Sequence, residues 1–324
     1  MPSKGPLDSV TIGFLVASPV KNGTETPLRR APPPAGLAPL RFLFGTLGRI
    51  APGTMARFAY RIWFKTRRFP VSSEERAVLA RAQRHTILHK NFRIAAYSWG
   101  KGPAVLIVHG WHGSAVNFTA FVDPLLAAGL RVVAFDQPAH GATTGRRTNI
   151  YEIVDALHAV VRAMGPVRSV LTHSFGAACV LLAMRGGLQF ERAVCISPPA
   201  EVTSLLDAFA ETLNLPPRVL ARFRKRLEKR HGADIWDKLS PARMAKDVEV
   251  PALIIHDRND RAMLFEEGEA LARAWKGATF HATKGLGHNR ILTDRDVVAR
   301  TVAFLAGSKN WPGKATRQRR TVID

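Results

Sequence analysis

A serine stands where an apolar strand pattern changes into a run of small residues, in the sequence Thr172-His173-Ser174-Phe175-Gly176. A serine between a buried strand and a helix is held in a sharp, strained turn that exposes its hydroxyl for nucleophilic attack. The helix N-terminus adds positive potential where an oxyanion would develop. Thr172 occupies the position at which the G-x-S-x-G pattern has glycine. Taken alone, the motif fits a serine that only caps a helix equally well.

Two later loops hold a carboxylate and an imidazole that could activate this serine. Asp260 ends the run HDRND after an apolar strand pattern, and His288 ends the run GLGH after the next one. Nucleophilic serine chemistry needs a base that takes the hydroxyl proton and an acid that orients the base. The chain order serine, acid, histidine is typical of a serine elbow enzyme. Asp257 is an alternative acid and Glu201 a more distant one, while His288 could instead be a structural loop histidine.

Backbone donors for an oxyanion are predicted on either side of the serine. The run LIVHGW at 106–111 ends a buried strand, and the loop after such a strand supplies one amide while the residue after the nucleophile supplies the other. These amides belong to Trp111 and Phe175. We expect the Trp111 ring to form a wall of the acyl pocket. The predicted pocket residues beside it are His109, Gly110, His112 and His173.

The sequence predicts no metal site and no cofactor. His109 and His112 have H-x-x-H spacing and His140 could be a third ligand, but the pair lies in a strand-exit loop without a carboxylate motif. A glycine-rich phosphate loop, which a nucleotide would require, is missing from the sequence. The two cysteines, Cys179 and Cys195, lie in apolar runs and are predicted to be buried. This usage fits a reducing compartment, so we expect a cytoplasmic protein.

The elements that must position these residues alternate along the chain. Short apolar runs are separated by helical patterns from residue 104 to residue 305, after two strands predicted at 85–89 and 92–99. Such alternation predicts an α/β fold with a mostly parallel sheet covered by helices on both faces. Ligands then bind at the carboxyl ends of the strands. Residues 201–247 interrupt the alternation with helical patterns only, which predicts a cap inserted beside that edge.

Four regions follow from these patterns. Residues 1–38 form a proline-rich leader, 39–84 a basic helical extension, 85–306 the catalytic domain with its cap, and 307–324 a basic tail. Within the extension, Met55, Phe58, Ala59, Ile62 and Trp63 share one helix face. A second helix is predicted at 73–84, with Ser72 or Ser73 as its N-cap.

The charge balance points to an anionic partner. The sequence has 47 Lys and Arg residues against 25 Asp and Glu residues, a formal charge of +22. Peripheral contact of residues 39–69 with an anionic membrane is one interpretation, and packing of this segment on the rest of the protein is the preferred one. We expect no nucleic-acid partner, because no binding motif accompanies the charge. No segment reaches the roughly 18 apolar residues of a membrane span, and the oligomeric state stays open.

Together these motifs resemble the α/β-hydrolase family over residues 93–305. The resemblance rests on LIVHGW, the D-x-P-x-H-G run at 136–141, the serine elbow, IIHDRND and GLGH, in family order. It implies a mostly parallel eight-stranded sheet with the cap after the sixth strand. It also favours Asp260 as the acid, since Asp257 takes the glycine position of the family's G-x-x-D pattern. The Asp136 run is a turn motif in the family, without a catalytic role.

The resemblance implies a serine hydrolase that cleaves a small-molecule carboxylic ester through an acyl-enzyme. The same three residues serve thioesterases, lactonases, C–C bond hydrolases, acyltransferases and cofactor-free haloperoxidases, and the sequence does not separate these activities. Dehalogenases and epoxide hydrolases are disfavoured, because they carry aspartate at the elbow where this chain has Ser174. The alternative of a different class is a protein of this fold that binds an anionic membrane or that is not catalytic.

Overall fold

An eight-stranded sheet forms the centre of the protein, and its strands have the order β1-β2-β4-β3-β5-β6-β7-β8. The first pair and the pairing of β2 with β4 are antiparallel, and all other pairs are parallel. This confirms the predicted fold class. The strands are β1 (Gln83–His89), β2 (Phe92–Trp99), β3 (Ala104–Val108), β4 (Arg131–Phe135), β5 (Val167–His173), β6 (Arg192–Ile196), β7 (Ala252–Asp257) and β8 (Ala278–Thr283).

The computed structural model describes residues 34–307. The predicted leader up to residue 33 and the predicted basic tail from residue 308 lie outside the described residues. Residues 35–38, which the sequence assigned to the leader, already belong to helices: a 3-10 turn at Ala35–Leu37 leads into the first α-helix at Ala38. Proline in the first turn of that helix is compatible with helix initiation, because the first amides have no helical acceptor.

Thirteen α-helices surround the sheet within residues 34–307. Those before the sheet are α1 (Ala38–Ile50), α2 (Pro52–Trp63) and α3 (Ser73–Ala80). Those between β3 and β6 are α4 (Thr119–Ala127), α5 (Ile150–Met164) and α6 (Phe175–Arg185). The segment between β6 and β7 folds into α7 (Val202–Leu213), α8 (Pro217–His231), α9 (Ile235–Lys238) and α10 (Pro241–Ala245). The last three are α11 (Phe265–Ala274), α12 (Gly287–Arg290) and α13 (Arg295–Ala306).

The central strands are mainly apolar because helices cover both faces of the sheet. All five residues of β3 are buried, as are all six of β7. Cys179 on α6 and Cys195 on β6 are free and buried, which confirms the prediction for both. The parallel strands all end at one edge, so the loops after β3, β5, β7 and β8 meet there.

Two boundaries near the start of the sheet differ from the sequence prediction. The helix predicted at 73–84 ends at Ala80, and β1 begins at Gln83, where Gln83 pairs with Ser98 of β2. Pairing along the hairpin outcompetes continuation of a short exposed helix, which has no buried residue of its own. The N-terminus of this helix is capped by Ser72, one of the two predicted N-cap residues, which forms a reciprocal capping box with Glu75.

Helices α1 and α2 pack on α7 and α8, the helices that the sequence predicted as a cap. Met55 and Ile62 are buried in this contact. The Trp63 ring meets Phe209 at 5.0 Å and Phe223 at 5.7 Å, measured between ring centroids. The apolar face predicted from the spacing in α2 is therefore an internal surface, and its partner is the cap rather than the sheet. No helix among residues 34–307 is long and apolar enough to cross a membrane.

Candidate active site

Ser174 lies in a strained turn between β5 and α6. Its backbone has φ 52° and ψ −127°, a region that non-glycine residues rarely adopt. The turn forces close contact with β3: a Cβ atom added to Gly176 would lie 2.5 Å from the Val108 carbonyl oxygen. Thr172, which departs from the usual glycine, is fully buried in β5, and its hydroxyl donates to the Val194 carbonyl at 3.2 Å. The larger side chain is thus accommodated in the sheet, with its hydroxyl bonded to the neighbouring strand β6.

Asp260 and His288 are joined by a short hydrogen bond. The distance from His288 Nδ1 to Asp260 Oδ2 is 2.7 Å. The other carboxylate oxygen, Oδ1, accepts the amides of Ala262 and Met263 at 2.9 Å each, so the carboxylate plane is fixed. Because an ionised carboxylate only accepts hydrogen bonds, Nδ1 of His288 carries the proton and Nε2 keeps its lone pair.

The surroundings of Asp260 keep it ionised. Burial by itself raises the pKa of this carboxyl, but electrostatic attraction to His288 and the hydrogen bonds from His256 and His288 outweigh the burial. The pKa of Asp260 therefore lies well below its usual range. A permanent negative charge beside His288 favours the protonated imidazole that a general base becomes during catalysis.

Asp257, the alternative acid, is occupied elsewhere. Its Oδ1 accepts the amides of Asn259 and Gly287, and its Oδ2 accepts the Leu286 amide and the Thr283 hydroxyl, all within 3.0 Å. These bonds tie the loop after β7 to the loop that carries His288. Glu201, the more distant alternative, accepts the Ser240 hydroxyl at 2.9 Å at the base of the cap. Of the three carboxylates, the structure brings Asp260 to His288.

The loop after β3 runs directly against the serine. A Cβ atom on Gly110 would lie 2.9 Å from Ser174 Cβ and 3.2 Å from the His173 carbonyl oxygen, so only glycine fits. Within residues 34–307, the Trp111 amide donates to no protein acceptor. Phe175 is the first residue of α6, and amides in a first helical turn lack helical acceptors. Trp111 and Phe175, whose amides are predicted to hold an oxyanion, line the same cavity as Ser174.

His173 supports the candidate base rather than only lining the pocket. Its Nε2 donates to the His288 carbonyl oxygen at 2.9 Å, and the two rings are 4.6 Å apart between centroids. Burial lowers the pKa of His173 to about 3, so the ring is neutral at physiological pH. Its position beside Ser174 in the sequence gives no sign of this contact, since the two histidines are 115 residues apart.

His109, predicted as a pocket residue, is buried beneath the loop and does not reach the cavity. Its Nδ1 donates to the Gly110 carbonyl at 2.7 Å, and its Nε2 accepts the Gln137 amide at 3.0 Å. His140 lies against it and touches the Trp111 ring, with 5.3 Å between centroids. Burial lowers the pKa of both histidines. These neutral rings support the loop from below, and residues 34–307 hold no cluster of three side chains suited to a metal ion.

A cavity of about 400 Å³ opens above Ser174 and His288. Gly110, His112 and His173, predicted as pocket residues, line it together with Trp111. Cap residues form a second wall, and the helical extension forms a third. The cap contributes Val202, Leu205, Leu227, His231, Ile235, Trp236 and Leu239, and the extension contributes Trp63, Phe64, Phe69, Pro70 and Glu75.

The extension wall was missed by sequence reasoning. The helical spacing predicted that Trp63 faces inward, but it could not show that the inward surface continues into the cavity. A hydrogen bond links the extension to the loop after β3, where the Arg67 amide donates to His112 Nδ1 at 2.9 Å. Arg68 adds bonds to the carbonyl oxygens of Gly141 and Thr143. The extension is thereby fixed to the edge of the sheet where the candidate site lies.

Comparison with solved structures shows the same fold in several hydrolases and peroxidases. Similar structures include a bromoperoxidase from Bacillus anthracis (16% identity, TM-score 0.53, covering 69% of this chain and 99% of that chain). Another is a meta-cleavage product hydrolase from Pseudomonas fluorescens IP01 (18% identity, TM-score 0.52, 68% and 96%). A third is a proline iminopeptidase-related protein from Thermus thermophilus (16% identity, TM-score 0.55, 70% and 98%). A search of curated proteins found no match.

The sequence profile of the Alpha/beta hydrolase family matches residues 105–301, which is more than half of the chain. The matched segment contains the elbow serine, both loops after β7 and β8, and the loop after β3. This chain belongs to the α/β-hydrolase family.

Proposed function

We propose that the protein is a serine hydrolase that cleaves carboxylic esters through an acyl-enzyme. The observation that carries the proposal is the 2.7 Å bond between His288 and a buried, ionised Asp260, in the cavity that also holds the strained Ser174. The backbone strain at Ser174 costs stability, and strained residues cluster at functional sites. A carboxyl with a strongly shifted pKa and a specific charged partner is a further mark of such a site. Ser174 lines the same cavity as His288, the ring that Asp260 holds from behind, which favours nucleophilic catalysis over a serine that merely caps α6.

In the proposed reaction, Ser174 Oγ attacks the ester carbonyl carbon while its proton passes to His288 Nε2. The carbonyl oxygen becomes an oxyanion that accepts the amides of Trp111 and Phe175. Collapse of this intermediate expels the alcohol, which takes the proton from His288. Water then attacks the acyl-enzyme with His288 again as base, the acid departs, and the proton returns to Ser174. Asp260 stays ionised throughout and stabilises the imidazolium.

The cavity walls favour an apolar acyl group. The walls from the cap and the extension are mainly aliphatic and aromatic side chains, among them Leu205, Ile235, Trp236, Trp63 and Phe69. Binding of an apolar chain there would remove its surface from water, at about 25 cal/mol per Å². A volume of about 400 Å³ is in the range of pockets for drug-sized molecules. We therefore propose esters of bulky or medium-length apolar acids as substrates.

Labelling with a fluorescent fluorophosphonate tests the serine directly. We expect the wild type to be labelled, Ser174→Ala to be unlabelled, and the control Ser73→Ala, an exposed serine at the start of α3, to be labelled like the wild type. Mass spectrometry should place the adduct on Ser174. An unlabelled wild type with native circular dichroism would refute an activated serine. A panel of aryl esters, thioesters and lactones of matched acyl groups then separates ester cleavage from the other activities of this residue set.

A further inference from the structure

The outward face of α1 carries exposed apolar side chains. Phe42 is 73% exposed and Ile50 is 81% exposed, and Leu47 beside them is 41% exposed. Pro39, Phe42, Thr46 and Ile50 recur at intervals of three and four residues, so they form one stripe along the helix. The opposite face of α1, with Leu40 and Phe44, is buried against the cap. Residues of this size are seldom so exposed together without a binding role.

Two of the helices that contact α1, namely α2 and α8, carry many exposed basic side chains. Residues 34–73 contain seven Lys and Arg residues and no Asp or Glu. Arg57 and Arg61 are exposed on α2, and α8 adds a run of exposed basic residues (Arg218, Arg222, Arg224, Lys225, Arg226, Lys229 and Arg230). The two groups are adjacent, because α2 packs on α8 and a Cβ atom on Gly53 would lie 3.8 Å from the Arg222 guanidinium. Arg222 therefore lies beside the first turn of α2, which begins two residues after Ile50.

We propose that this surface, the α1 stripe with its basic flanks on α2 and α8, binds an anionic lipid membrane. Apolar side chains that enter the interface and Arg or Lys residues that meet anionic headgroups are the two components of peripheral membrane attachment. Nucleic acid would use the basic flanks but leave Phe42 and Ile50 in water. A second copy of the chain would bring two surfaces of the same positive sign together, which costs free energy.

The proposed membrane-binding surface on α1 is not the apolar helix face that the sequence spacing of α2 predicts. Met55 and Ile62, which make that spacing, are buried against the cap and cannot reach a membrane. The exposed residues instead belong to α1, on the outer side of the same helix pair. Because α2 also contributes Trp63 to the cavity, attachment would hold the candidate site close to a lipid surface. That consequence rests on the proposed hydrolase function, whereas vesicle binding itself does not.

Vesicle sedimentation of the full-length protein tests the proposal. We expect binding to phosphatidylcholine vesicles that contain phosphatidylglycerol, and much weaker binding to phosphatidylcholine alone. Phe42→Ser and Ile50→Ser should each lower the apparent partition coefficient about tenfold, because each removes a large apolar side chain from the interface. The control is Leu88→Ser, a leucine that is 77% exposed on β1, and its binding should equal the wild type.

Charge reversal tests the flanks. The double variant R57E/R222E should lose about tenfold or more in binding to the anionic vesicles. R295E/R300E, which makes the same change in net charge on exposed residues of α13, should bind like the wild type. Loss of binding in both double variants would show that only net charge matters and would overturn the proposal.

Three further results would also overturn it. The first is a wild type that does not bind anionic vesicles, and the second is α1 variants that bind as well as Leu88→Ser does. The third is a dimer in light scattering that Ile50→Ser converts to a monomer, since a second copy would then be the occupant of the stripe. Circular dichroism of each variant confirms that the substitutions leave the fold intact.

Discussion

Replacement of Asp260 by asparagine should abolish turnover while leaving the fold intact. The amides of Ala262 and Met263 both donate to Oδ1, so the asparagine must keep its oxygen there and turn its NH₂ group toward His288. Nδ1 of His288 then faces a donor and must give up its proton to accept this hydrogen bond. In the neutral ring this proton then sits on Nε2. Nε2 therefore has no lone pair with which to accept the Ser174 proton.

The effect on catalysis is large because the wrong tautomer is locked by the backbone. Loss of the correct tautomer in a serine, histidine and aspartate arrangement lowers kcat about 10⁴-fold, or about 5 kcal/mol of transition-state stabilisation. Stability should change little, since no buried backbone amide loses its acceptor in Asp260→Asn. The variant therefore separates a catalytic carboxylate from a structural one.

Asp257→Asn is the matched control, and its expected result is the opposite. Both oxygens of Asp257 accept backbone amides, on one side from Asn259 and Gly287 and on the other from Leu286. An asparagine satisfies only one side and leaves a buried donor unpaired, which costs about 1–3 kcal/mol of unfolding free energy. We expect lower stability with kcat reduced far less than in Asp260→Asn.

Two measurements on both variants decide the assignment: kcat on an aryl ester and the free energy of unfolding in urea. The reasoning predicts a kcat defect in Asp260→Asn and a stability defect in Asp257→Asn. If Asp260→Asn kept a kcat within about tenfold of the wild type, Asp260 would not be the orienting acid. If Asp257→Asn instead lost kcat to the larger extent at full stability, the two roles would be reversed.

Two further perturbations test the pocket and its support. Phe69→Ala should raise KM for apolar esters severalfold with little change in kcat or unfolding midpoint, because Phe69 lines the cavity but is 44% exposed; an unchanged KM would remove it from the binding wall. His173 should make the protein less stable in acid, because burial lowers its pKa from 6.5 to about 3. The stability that it contributes is complete above pH 6.5. Between pH 6.5 and pH 3 the free energy of unfolding declines by about 1.4 kcal/mol per pH unit as the pH falls. Urea unfolding of His173→Gln between pH 7 and pH 4 should show a shallower decline, and an identical slope would contradict this assignment.

The sheet could be predicted from sequence because its signal is local. Strands buried on both faces appear as continuous apolar runs, and the runs at 104–108 and 131–135 match β3 and β4 residue for residue. The helices α7 and α8 were predicted with their observed bounds because their boundary signals are also local. Asn214 follows the last residue of α7, and Pro217 is the first residue of α8. Short helices could not be predicted from the sequence. The helix α12, which holds His288, has four residues and is too short to show a periodic pattern.

The candidate site could be predicted only as a set of residues at one edge. Motif order predicted Ser174, Asp260 and His288 there, and the family pattern favoured Asp260 over Asp257. The structure adds the physical difference, since Asp257 accepts backbone amides on both oxygens whereas Asp260 keeps one oxygen for His288. That difference arises from the fold of two loops that are about thirty residues apart in the chain. Likewise, the contact between His173 and His288 arises from tertiary packing and has no signature in either segment.

The cavity wall formed by the extension lies outside the segment that matches the family. The family match spans residues 105–301 and includes the residues proposed to react, whereas Trp63, Phe64 and Phe69 precede it. The residues proposed to react and the cap wall thus lie in the part of the chain that matches the family, whereas one wall of the pocket comes from an extension outside the match, which packs on the cap and donates to His112. A substituent of the substrate that fills this wall contacts residues for which the family match offers no counterpart. Substrate preference in this protein must therefore be measured on the full chain with the extension in place, because a fragment that begins at the sheet would retain the proposed catalytic residues and lose part of the pocket.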